Sequence, residues 1–362
     1  MDSLNELGFY TLAGAPQSPR ELLGEVATAE HLGLGAAFIS ERFNIKEACT
    51  LSGAVGAATT TLGIATAATN HNTRHPIVLA SYATTMHRLT DGRFTLGLGR
   101  GIAPLQDAYG MGRITTAQLE DIASLLRRLF AGEVVLGHDG PAGRWPVLHL
   151  DSSFAEDIPL GITAFGPATL ALAGRAYDMV VLHTFFTDET TARCVATVRA
   201  AAEAAGRDPA RVRIWSCYAT VGDHLPEDVR LKKTVGRLAT YLQGYGDLMV
   251  QTNGWDPAVL QGFRADPMVA SFPGAIDAKA TAEQLEHVAT LLPDEWLESA
   301  ATGSAARCAA RVRAQLDLGV DGVIMHGATP EELTPVVEAY RGDRAAAAVD
   351  GWPANPGRPR TA

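Results

Sequence analysis

Two charged side chains, Glu41 and Arg42, directly follow residues 35–40, which we predict to be a strand whose apolar run Ala-Ala-Phe-Ile is buried on both faces. At the carboxyl end of such a strand in a barrel, a carboxylate can exchange a proton with a ligand, and a guanidinium can hold a ligand in place. The alternative is structural: Arg42 would form an ion pair that closes the rim. We favour the functional interpretation, because charged strand ends in this architecture usually belong to the site.

A glycine-rich run, GLGRG at residues 97–101, ends another predicted strand. It differs from the dinucleotide-binding G-x-G-x-x-G pattern, because no third small residue stands at the required position and we predict no helix before about residue 116. We therefore reject a Rossmann site. The run instead lets a flat ligand approach Gly99, Arg100 and Gly101 closely, and a tight strand-exit turn explains the glycines equally well.

The segment Phe165-Gly166-Pro167-Ala168-Thr169 leads from a predicted strand directly into a helix. The free N–H groups at a helix start lie at the positive end of the helix dipole, so they can hold an anion. The hydroxyl of Thr169 would add a further donor. The alternative is an ordinary proline-initiated helix, which is the commoner case.

His71 and His75 are four residues apart, as two metal ligands on one helical face would be. Pro76 disfavours helical geometry at His75, however, and no carboxylate stands between the two histidines. We therefore predict no metal site. The cysteines lie far apart without a C-x-x-C pair, which excludes a disulfide framework and a cysteine-based zinc site; they are Cys49, Cys194, Cys217 and Cys308.

The elements that must position these residues alternate regularly along the chain. Apolar, strand-like runs recur near residues 8, 37, 64, 96, 161, 181, 216 and 323, and a helical pattern follows each. A doubly wound open sheet would share this alternation, but eight units favour a closed (β/α)8 TIM barrel of the α/β class. The ends of the third and sixth strands then add Asn70 and His183 to the candidate site.

We expect a single barrel domain over residues 1–342 with two excursions. One is a hairpin at about residues 133–151, with its turn at residues 138–141. The other is a mostly polar helical insertion at about residues 223–301. The remaining residues, 343–362, form a tail that we expect to be mobile or draped over the barrel.

The composition excludes several classes of protein. With 47% hydrophobic and 19% charged residues the chain can form a large core, so it is not disordered. A net charge of -10 argues against a nucleic-acid partner. We find neither a secretory signal nor a run apolar enough for a membrane span. We expect a cytoplasmic homodimer that binds a small-molecule substrate and no membrane.

Residues 32–101 resemble the core signature of the bacterial-luciferase-like superfamily. The run contains, in order, a strand that ends in Ser-Glu, an Ala-Ala-Thr helix, a Thr-Asn…Thr-Arg-His-Pro loop and Gly-Arg-Phe…Leu-Gly-Leu-Gly. Residues 162–183 resemble the family's strand-helix-strand near the cofactor phosphate, and residues 319–327 resemble its last strand. The similarity spans about residues 5–340 and implies the same barrel fold.

The superfamily comprises flavin-dependent monooxygenases and deazaflavin-dependent oxidoreductases, and the chain is most similar to the branch that uses coenzyme F420. The resemblance implies that the deazaflavin, which carries hydride at C5, lies across the strand ends. Its phosphate tail would extend toward the fifth and sixth strands. A bulge at the end of the third strand would back the ring, often with a non-prolyl cis peptide, here at Ala65-Thr66 or Ala67-Ala68.

Two positions depart from known branches of the superfamily. Members that oxidise a sugar phosphate have an acid-His pair where this chain has Glu41-Arg42, and a Glu where it has Ile102. Oxygen-using members commonly have His at the position of Arg42. We therefore predict hydride transfer between F420 and a small organic substrate, with Glu41 as an acid/base or ring-orienting carboxylate and Arg42 as an electrophile or anion anchor. An FMN-dependent monooxygenase and a non-catalytic flavin-binding protein are the alternatives.

Overall fold

Eight parallel strands close into a barrel in the computed structural model of this chain, which describes residues 3–14, 16–43, 46–344 and 351–360. In chain order the strands are β1 (Leu4–Tyr10), β2 (Leu34–Ile39), β3 (Gly63–Thr66), β4 (Phe94–Leu98), β5 (Val135–Gly140), β6 (Gly143–Leu148), β7 (Leu160–Thr163), β8 (Met179–Val181), β9 (Arg213–Gly222), β10 (Ala301–Gly303) and β11 (Gly322–His326). Around the barrel the strand order is β1-β2-β3-β4-β7-β8-β9-β11, and β11 pairs back onto β1. The closed barrel confirms the predicted (β/α)8 fold and excludes the open sheet.

Helices follow the barrel strands and cover their outer faces. The helices are α1 (Leu22–His31), α2 (Ala48–Ala58), α3 (Pro76–Leu89), α4 (Ala103–Ala108), α5 (Thr116–Phe130), α6 (Pro167–Ala176), α7 (Asp188–Ala204), α8 (Glu227–Leu231), α9 (Arg237–Asn253), α10 (Pro257–Ala265), α11 (Pro267–Ala270), α12 (Ile276–Lys279), α13 (Ala282–Ala289), α14 (Asp294–Leu297), α15 (Ala305–Asp317) and α16 (Pro330–Gly342). Their starts follow local chemistry: capping boxes at Thr115 and Thr329 precede α5 and α16. Proline stands in the first turn of α3 and α6, where its missing N–H costs nothing.

Apolar side chains fill both layers of the barrel. Ala37, Ile64 and Leu96 point outward into the core shared with the helices. Phe38 and Trp215 fill the interior of the barrel, with ring centroids 4.9 Å apart. Because successive residues of a strand alternate between these two layers, the residues just past the strand ends are the ones that meet at the mouth.

Two local expectations differ from the structure. The helix α4 begins at Ala103, although we predicted none before residue 116; Pro104 in its first turn is compatible with a helix start. The turn of the β5–β6 hairpin lies beyond Gly140, because His138 and Asp139 still pair with the opposite strand. Asn44, in the loop after the second strand, lies outside the described residues.

The stretch that we expected to be mostly polar, residues 223–301, contains an apolar cluster of its own. Leu238, Phe263 and Trp296 are buried in it, and Trp255 stacks on Trp296 with ring centroids 4.3 Å apart. The helices here are short and amphipathic, so their apolar residues are diluted in the sequence. This cluster holds α9 over the carboxyl ends of the barrel strands, where α9 contributes to the site.

The final described segment, residues 351–360, packs at the amino end of the barrel. Asn355 donates from Nδ2 to Phe94 O over 3.0 Å and accepts from Thr95 Oγ1 at 2.6 Å. Pro356 O accepts from Trp215 Nε1 at 2.9 Å. Residues 345–350 and 361–362 of the expected tail lie outside the described residues.

The described residues contain neither a candidate membrane-spanning helix nor a candidate metal-binding cluster. None of the helices there is both long and apolar enough to cross a bilayer. The described part of the chain also has no group of three or more His, Cys, Asp or Glu side chains that could hold a metal ion.

Candidate active site

A cavity of about 690 Å³ opens at the carboxyl ends of the barrel strands. Residues from most of the βα loops line it, as expected for this architecture. The predicted site residues that it brings together are Glu41, Arg42, Ala67, Ala68, Asn70, Gly99, Arg100, Gly101, Phe165, Gly166, Thr169 and His183.

Four predicted cofactor-binding residues lie outside this lining. Ala65 is buried one layer deeper in the barrel interior. Thr66 donates its hydroxyl to Gly97 O over 2.7 Å, so the side chain joins β3 to β4. Pro167 and Ala168 are exposed on the outside of α6, because the first turn of the helix directs them away from the cavity.

Bare backbone forms one wall of the cavity at the end of β3. The Ala67–Ala68 peptide bond is cis, at the second of the two predicted positions. Ala67 O accepts a hydrogen bond from Tyr10 Oη over 2.9 Å. A Cβ on Gly99 would come within 2.8 Å of Ala68 Cβ, so glycine is needed there and a flat ligand can approach both strands closely.

Glu41 is a buried carboxylate, with a side chain only 2% exposed. Its Oε1 accepts from Ala48 N at 3.1 Å, at the start of α2. Its Oε2 accepts from Thr69 Oγ1 at 2.8 Å and from Arg74 Nη2 at 3.1 Å. Both oxygens are therefore engaged with the protein, which ties together the loops after β2 and β3.

Arg74 joins this network to the start of α2. Besides Glu41, it pairs with Glu47, whose side chain is 47% exposed. Glu47 also caps α2 by accepting from Thr50 N at 2.7 Å. Hydrogen bonds from Thr50 and Arg74 outweigh partial burial and lower the pKa of Glu47 to about 2.

Arg42 and Lys46 face the cavity from the loop after β2, and their backbones form a short antiparallel bridge. The two hydrogen bonds of this bridge have N to O distances of 2.8 and 2.7 Å. Arg42 Nη1 makes one long contact, 3.4 Å, with Gly14 O and is otherwise directed to the cavity. Lys46 Nζ donates to Thr11 O over 2.7 Å and is 3% exposed.

The predicted anion seat contains an arginine that the sequence interpretation did not link to it. Arg100 donates from Nη1 to Ile114 O at 3.0 Å and from Nη2 to Thr169 Oγ1 at 3.2 Å. Gly166 caps α6 without a side-chain hydrogen bond, so this helix start presents backbone to the cavity. A guanidinium beside an open helix start can bind a phosphate or carboxylate.

His183 belongs to an aromatic wall supplied by two distant segments. Its Nε2 lies 2.9 Å from Tyr245 Oη and its Nδ1 lies 2.9 Å from Thr184 O. Phe165 packs on the imidazole at 4.5 Å between centroids. Burial lowers the pKa of His183 to about 4, so the ring is neutral at physiological pH.

Several cavity residues were missed by the sequence interpretation. Tyr10 and His326 are the last residues of β1 and β11, and Cys217 lies within β9; we had predicted these strands without choosing these side chains. Lys46 lies five residues beyond Glu41 in the same loop, and this position could have marked it as a candidate site residue. Helix α9 brings further lining residues from the insertion, and no signal could have found them, because nothing in the sequence places that helix over the barrel. These residues are Arg237, Tyr241, Gly244, Tyr245 and Leu248.

The described lining is strongly basic. It contains four basic side chains, Arg42, Lys46, Arg100 and Arg237, and one acidic one, Glu41; Arg237 is paired with Asp277 over 2.8 Å. Glu41 is already paired with Arg74, whereas the chain as a whole carries a net charge of -10. Positive charge concentrated in one concave site of an acidic protein favours an anionic ligand.

A family model described as luciferase-like monooxygenase matches residues 4–349. The chain belongs to the luciferase-like monooxygenase family. This membership identifies it as an enzyme of the oxidoreductase class, in agreement with the predicted resemblance.

Known members of the luciferase-like family include reductases and oxygenases. The chain is 27% identical over 303 residues to 5,10-methylenetetrahydromethanopterin reductase of Methanolobus tindarius, which covers 82% of this chain and 86% of the relative. Among solved structures, the coenzyme F420-dependent tetrahydromethanopterin reductase from Methanopyrus kandleri matches with a TM-score of 0.76 at 16% identity, over 94% of this chain and 99% of that one.

An FMN-bound member also has this fold. The oxygenating constituent of 3,6-diketocamphane monooxygenase from Pseudomonas putida, in complex with FMN, matches with a TM-score of 0.65 at 17% identity, over 97% of this chain and 99% of that one. Identities this low establish the shared barrel, and the cofactor must be argued from the site.

Proposed function

We propose that the chain is an oxidoreductase that passes hydride between coenzyme F420 and a small organic substrate bound at the barrel mouth. The basic lining of the cavity carries this proposal. F420 has a long anionic tail, so its site needs several cations or backbone donors, whereas FMN needs one phosphate seat. The relative from Methanolobus tindarius, similar over most of both chains, is a reductase, and the Methanopyrus kandleri reductase with the same fold is coenzyme F420-dependent.

The cavity has the features that such a cofactor requires. Ala67, Ala68 and Gly99 carry only small side chains or none, so this wall of the cavity lets a flat ring lie close to the backbone. Gly101 has a φ of +70°, a conformation that glycine adopts without strain. Arg100, Thr169 and the open start of α6 provide donors for the anionic tail.

Bound F420 would supply or accept the hydride at its C5 atom, and the protein's own groups would hold the two reactants. Arg42 in the loop after β2 and Arg237 at the start of α9, the latter paired with Asp277, would anchor or polarise an electron-rich substrate atom. Glu41 would act as a ring-orienting group through the loop that it ties to Arg74, since both its oxygens are engaged. The aromatic wall around His183 would exclude water from the mouth.

A second candidate function is an FMN-dependent monooxygenase. The FMN-bound neighbour and the family model favour it, because both are described as monooxygenases. In that case the seat at Arg100 and Thr169 would take the single phosphate of FMN. Arg42, at a position where oxygen-using members commonly have His, counts against this candidate.

Purification from a host that makes no F420 tests the proposal. The protein should arrive as a colourless apoprotein, and added reduced F420 should then be bound. A yellow protein that retains FMN through gel filtration would contradict the proposal and favour the monooxygenase.

A further inference from the structure

We propose that Lys46 is the residue that exchanges a proton with the substrate, and that the substrate is a carbonyl compound or the alcohol formed from it. This inference rests on the proposed hydride transfer. It adds a group that supplies the proton which every such transfer to a carbonyl requires.

The position of Lys46 is fixed by its backbone and by a hydrogen bond of its side chain. Its backbone N–H and C=O both pair with Arg42, which anchors the end of the loop. The side chain is 3% exposed and lines the cavity, and Nζ donates to Thr11 O over 2.7 Å. An ammonium has three N–H donors, and among the described residues one of them has a partner, so two can reach a ligand in the cavity.

Charged groups from each surrounding element act on Lys46. Burial is the largest influence, and the positive charges of Arg42 and Arg237 oppose a further cation. Glu25 of α1 favours the ammonium, but its carboxylate is held by Leu12 N at 2.7 Å. His326 at the end of β11 also faces Lys46, and burial with the surrounding cations lowers the pKa of that imidazole well below its usual value.

The sum of these influences lowers the pKa of Lys46 to about 7. A general acid or base works best when its pKa lies near the working pH, because both protonation states are then populated. Lys46 meets this condition and also has access to the cavity. The geometry of the lining therefore makes it suitable for proton exchange.

The other titratable groups of the lining are less suitable. Both oxygens of Glu41 accept hydrogen bonds from the protein, and arginine does not release a proton in proteins. Each ring nitrogen of His183 has a protein partner. His326 Nδ1 is buried without a partner among the described residues, and burial lowers the pKa of this imidazole well below its usual value, so the neutral ring has no acidic proton to give at neutral pH.

Bound reduced 5-deazaflavin would supply hydride, with its electron pair, to the carbonyl carbon as the π bond of the carbonyl breaks. The oxygen takes a proton from the Lys46 ammonium, which leaves a neutral amine and an alcohol. Water then reprotonates the amine. In the reverse direction the neutral amine takes the hydroxyl proton while hydride returns to the oxidised deazaflavin.

Titration of the apoprotein gives a test that needs no turnover. The chain has four lysines, Lys46, Lys232, Lys233 and Lys279. Reductive methylation with ¹³C-formaldehyde labels them, and the Lys46→Met variant assigns the Lys46 signal. We expect this signal to titrate with a midpoint near pH 7. A midpoint above about 9, in the ordinary lysine range, would overturn the proposal.

Kinetics then tests the role in proton exchange. Oxidation of reduced F420 by acetone, cyclohexanone and 2-octanone is followed from pH 6 to 9. Lys46→Met should lower kcat by about 10²–10⁴-fold and remove the inflection near pH 7. Lys46→Arg should not restore it, because a guanidinium does not give up its proton. The matched control is Lys279→Met, since Lys279 is exposed and donates only to Pro273 O at 2.9 Å.

The outcomes separate this inference from the proposed function. A protein that does not bind F420 contradicts the proposed function, while the ¹³C titration still reports on Lys46. If F420 binds and none of the three ketones oxidises it, the carbonyl assignment is overturned. A third outcome is that the ketones oxidise reduced F420, and that Lys46→Met keeps the melting temperature, kcat and pH profile of the wild type. In that case Lys46 is not the proton-exchanging group.

Discussion

Arg100 Nη2 donates to Thr169 Oγ1 over 3.2 Å, which joins the end of β4 to the first turn of α6. A second hydrogen bond, from Arg100 Nη1 to Ile114 O, fixes the guanidinium in this position. The two residues were singled out from separate sequence motifs, one as part of a glycine run and the other as part of a helix start. Together with Gly166 they form the place where we expect the anionic tail of the cofactor.

Thr169→Glu tests this placement. The carboxylate would stand beside the bound anion and should weaken F420 binding at least tenfold, or by about 1.4 kcal/mol. Thr169→Ser is the matched control, because it keeps the hydroxyl and should keep the affinity. Fluorescence titration measures both. Unchanged affinity in Thr169→Glu would move the tail to another part of the cavity.

Arg42→Ala should lower turnover more than it lowers stability. Among the described residues the hydrogen bond of this side chain is a long one, 3.4 Å to Gly14 O, so its removal should shift the melting temperature little. The loss of a cation in the cavity should instead weaken the hold on the substrate. Melting temperatures and steady-state rates of Arg42→Ala are compared with those of the wild type. Parallel losses of melting temperature and activity would show that Arg42 is a brace of the barrel rim.

Glu41→Gln should destabilise the protein by about 2 kcal/mol, because an amide oxygen accepts more weakly than a carboxylate from Arg74, Thr69 and Ala48. Glu47→Gln is the matched control on the same arginine. Glu47 is 47% exposed, so its loss should cost less than about 1 kcal/mol. Urea denaturation compares the two variants. A larger loss in Glu47→Gln would contradict the account of Glu41 as the buried member of the network.

The sequence was sufficient for the barrel and for the strand-end residues. Apolar runs with helical patterns between them specify eight βα units, and residues just past a strand end must face the mouth. Glu41, Gly99 and Thr169 were found this way. The same logic failed at Pro167 and Ala168, because a helical turn directs successive side chains to different sides and the strand rule no longer applies.

Contacts between distant segments could not be predicted. The pairing of Glu41 with Arg74 depends on how two loops fold back on each other, and no spacing in the chain encodes it. The position of Arg237 and Tyr245 in the cavity lining depends on the packing of the apolar cluster in residues 223–301. The docking of Asn355 under the barrel is likewise a tertiary contact more than 250 residues from its partners in sequence.

Asn355→Ala should lower the free energy of unfolding by about 2 kcal/mol. It removes hydrogen bonds to Thr95 and to the backbone of Phe94, and it leaves buried polar groups unsatisfied. Arg358→Ala in the same segment is the control, since its ionic partner Asp157 is 82% exposed and such pairs contribute little. Equal melting temperatures for Asn355→Ala and the wild type would show that this segment does not stabilise the barrel.

His183 should contribute to loss of stability in acid. Burial holds its pKa near 4 in the folded protein, below the unfolded value near 6.5. Between these values the unfolded chain binds more protons, so stability falls as the pH falls from about 6.5 toward 4. Urea midpoints of wild type and His183→Gln at pH 7, 5.5 and 4 measure the difference. The variant should lose less stability on acidification, and an equal loss would contradict the assignment.

The relative affinity for two cofactors tests the central claim most directly. Equilibrium titration of the purified apoprotein with F420 and with FMN, followed by fluorescence quenching at one ionic strength, gives both dissociation constants. The basic groups of the cavity, above all Arg42 and Arg100, should favour the longer anion, so F420 should bind at least tenfold more tightly than FMN, a difference of about 1.4 kcal/mol. Tighter binding of FMN would contradict the account and make the monooxygenase the better assignment.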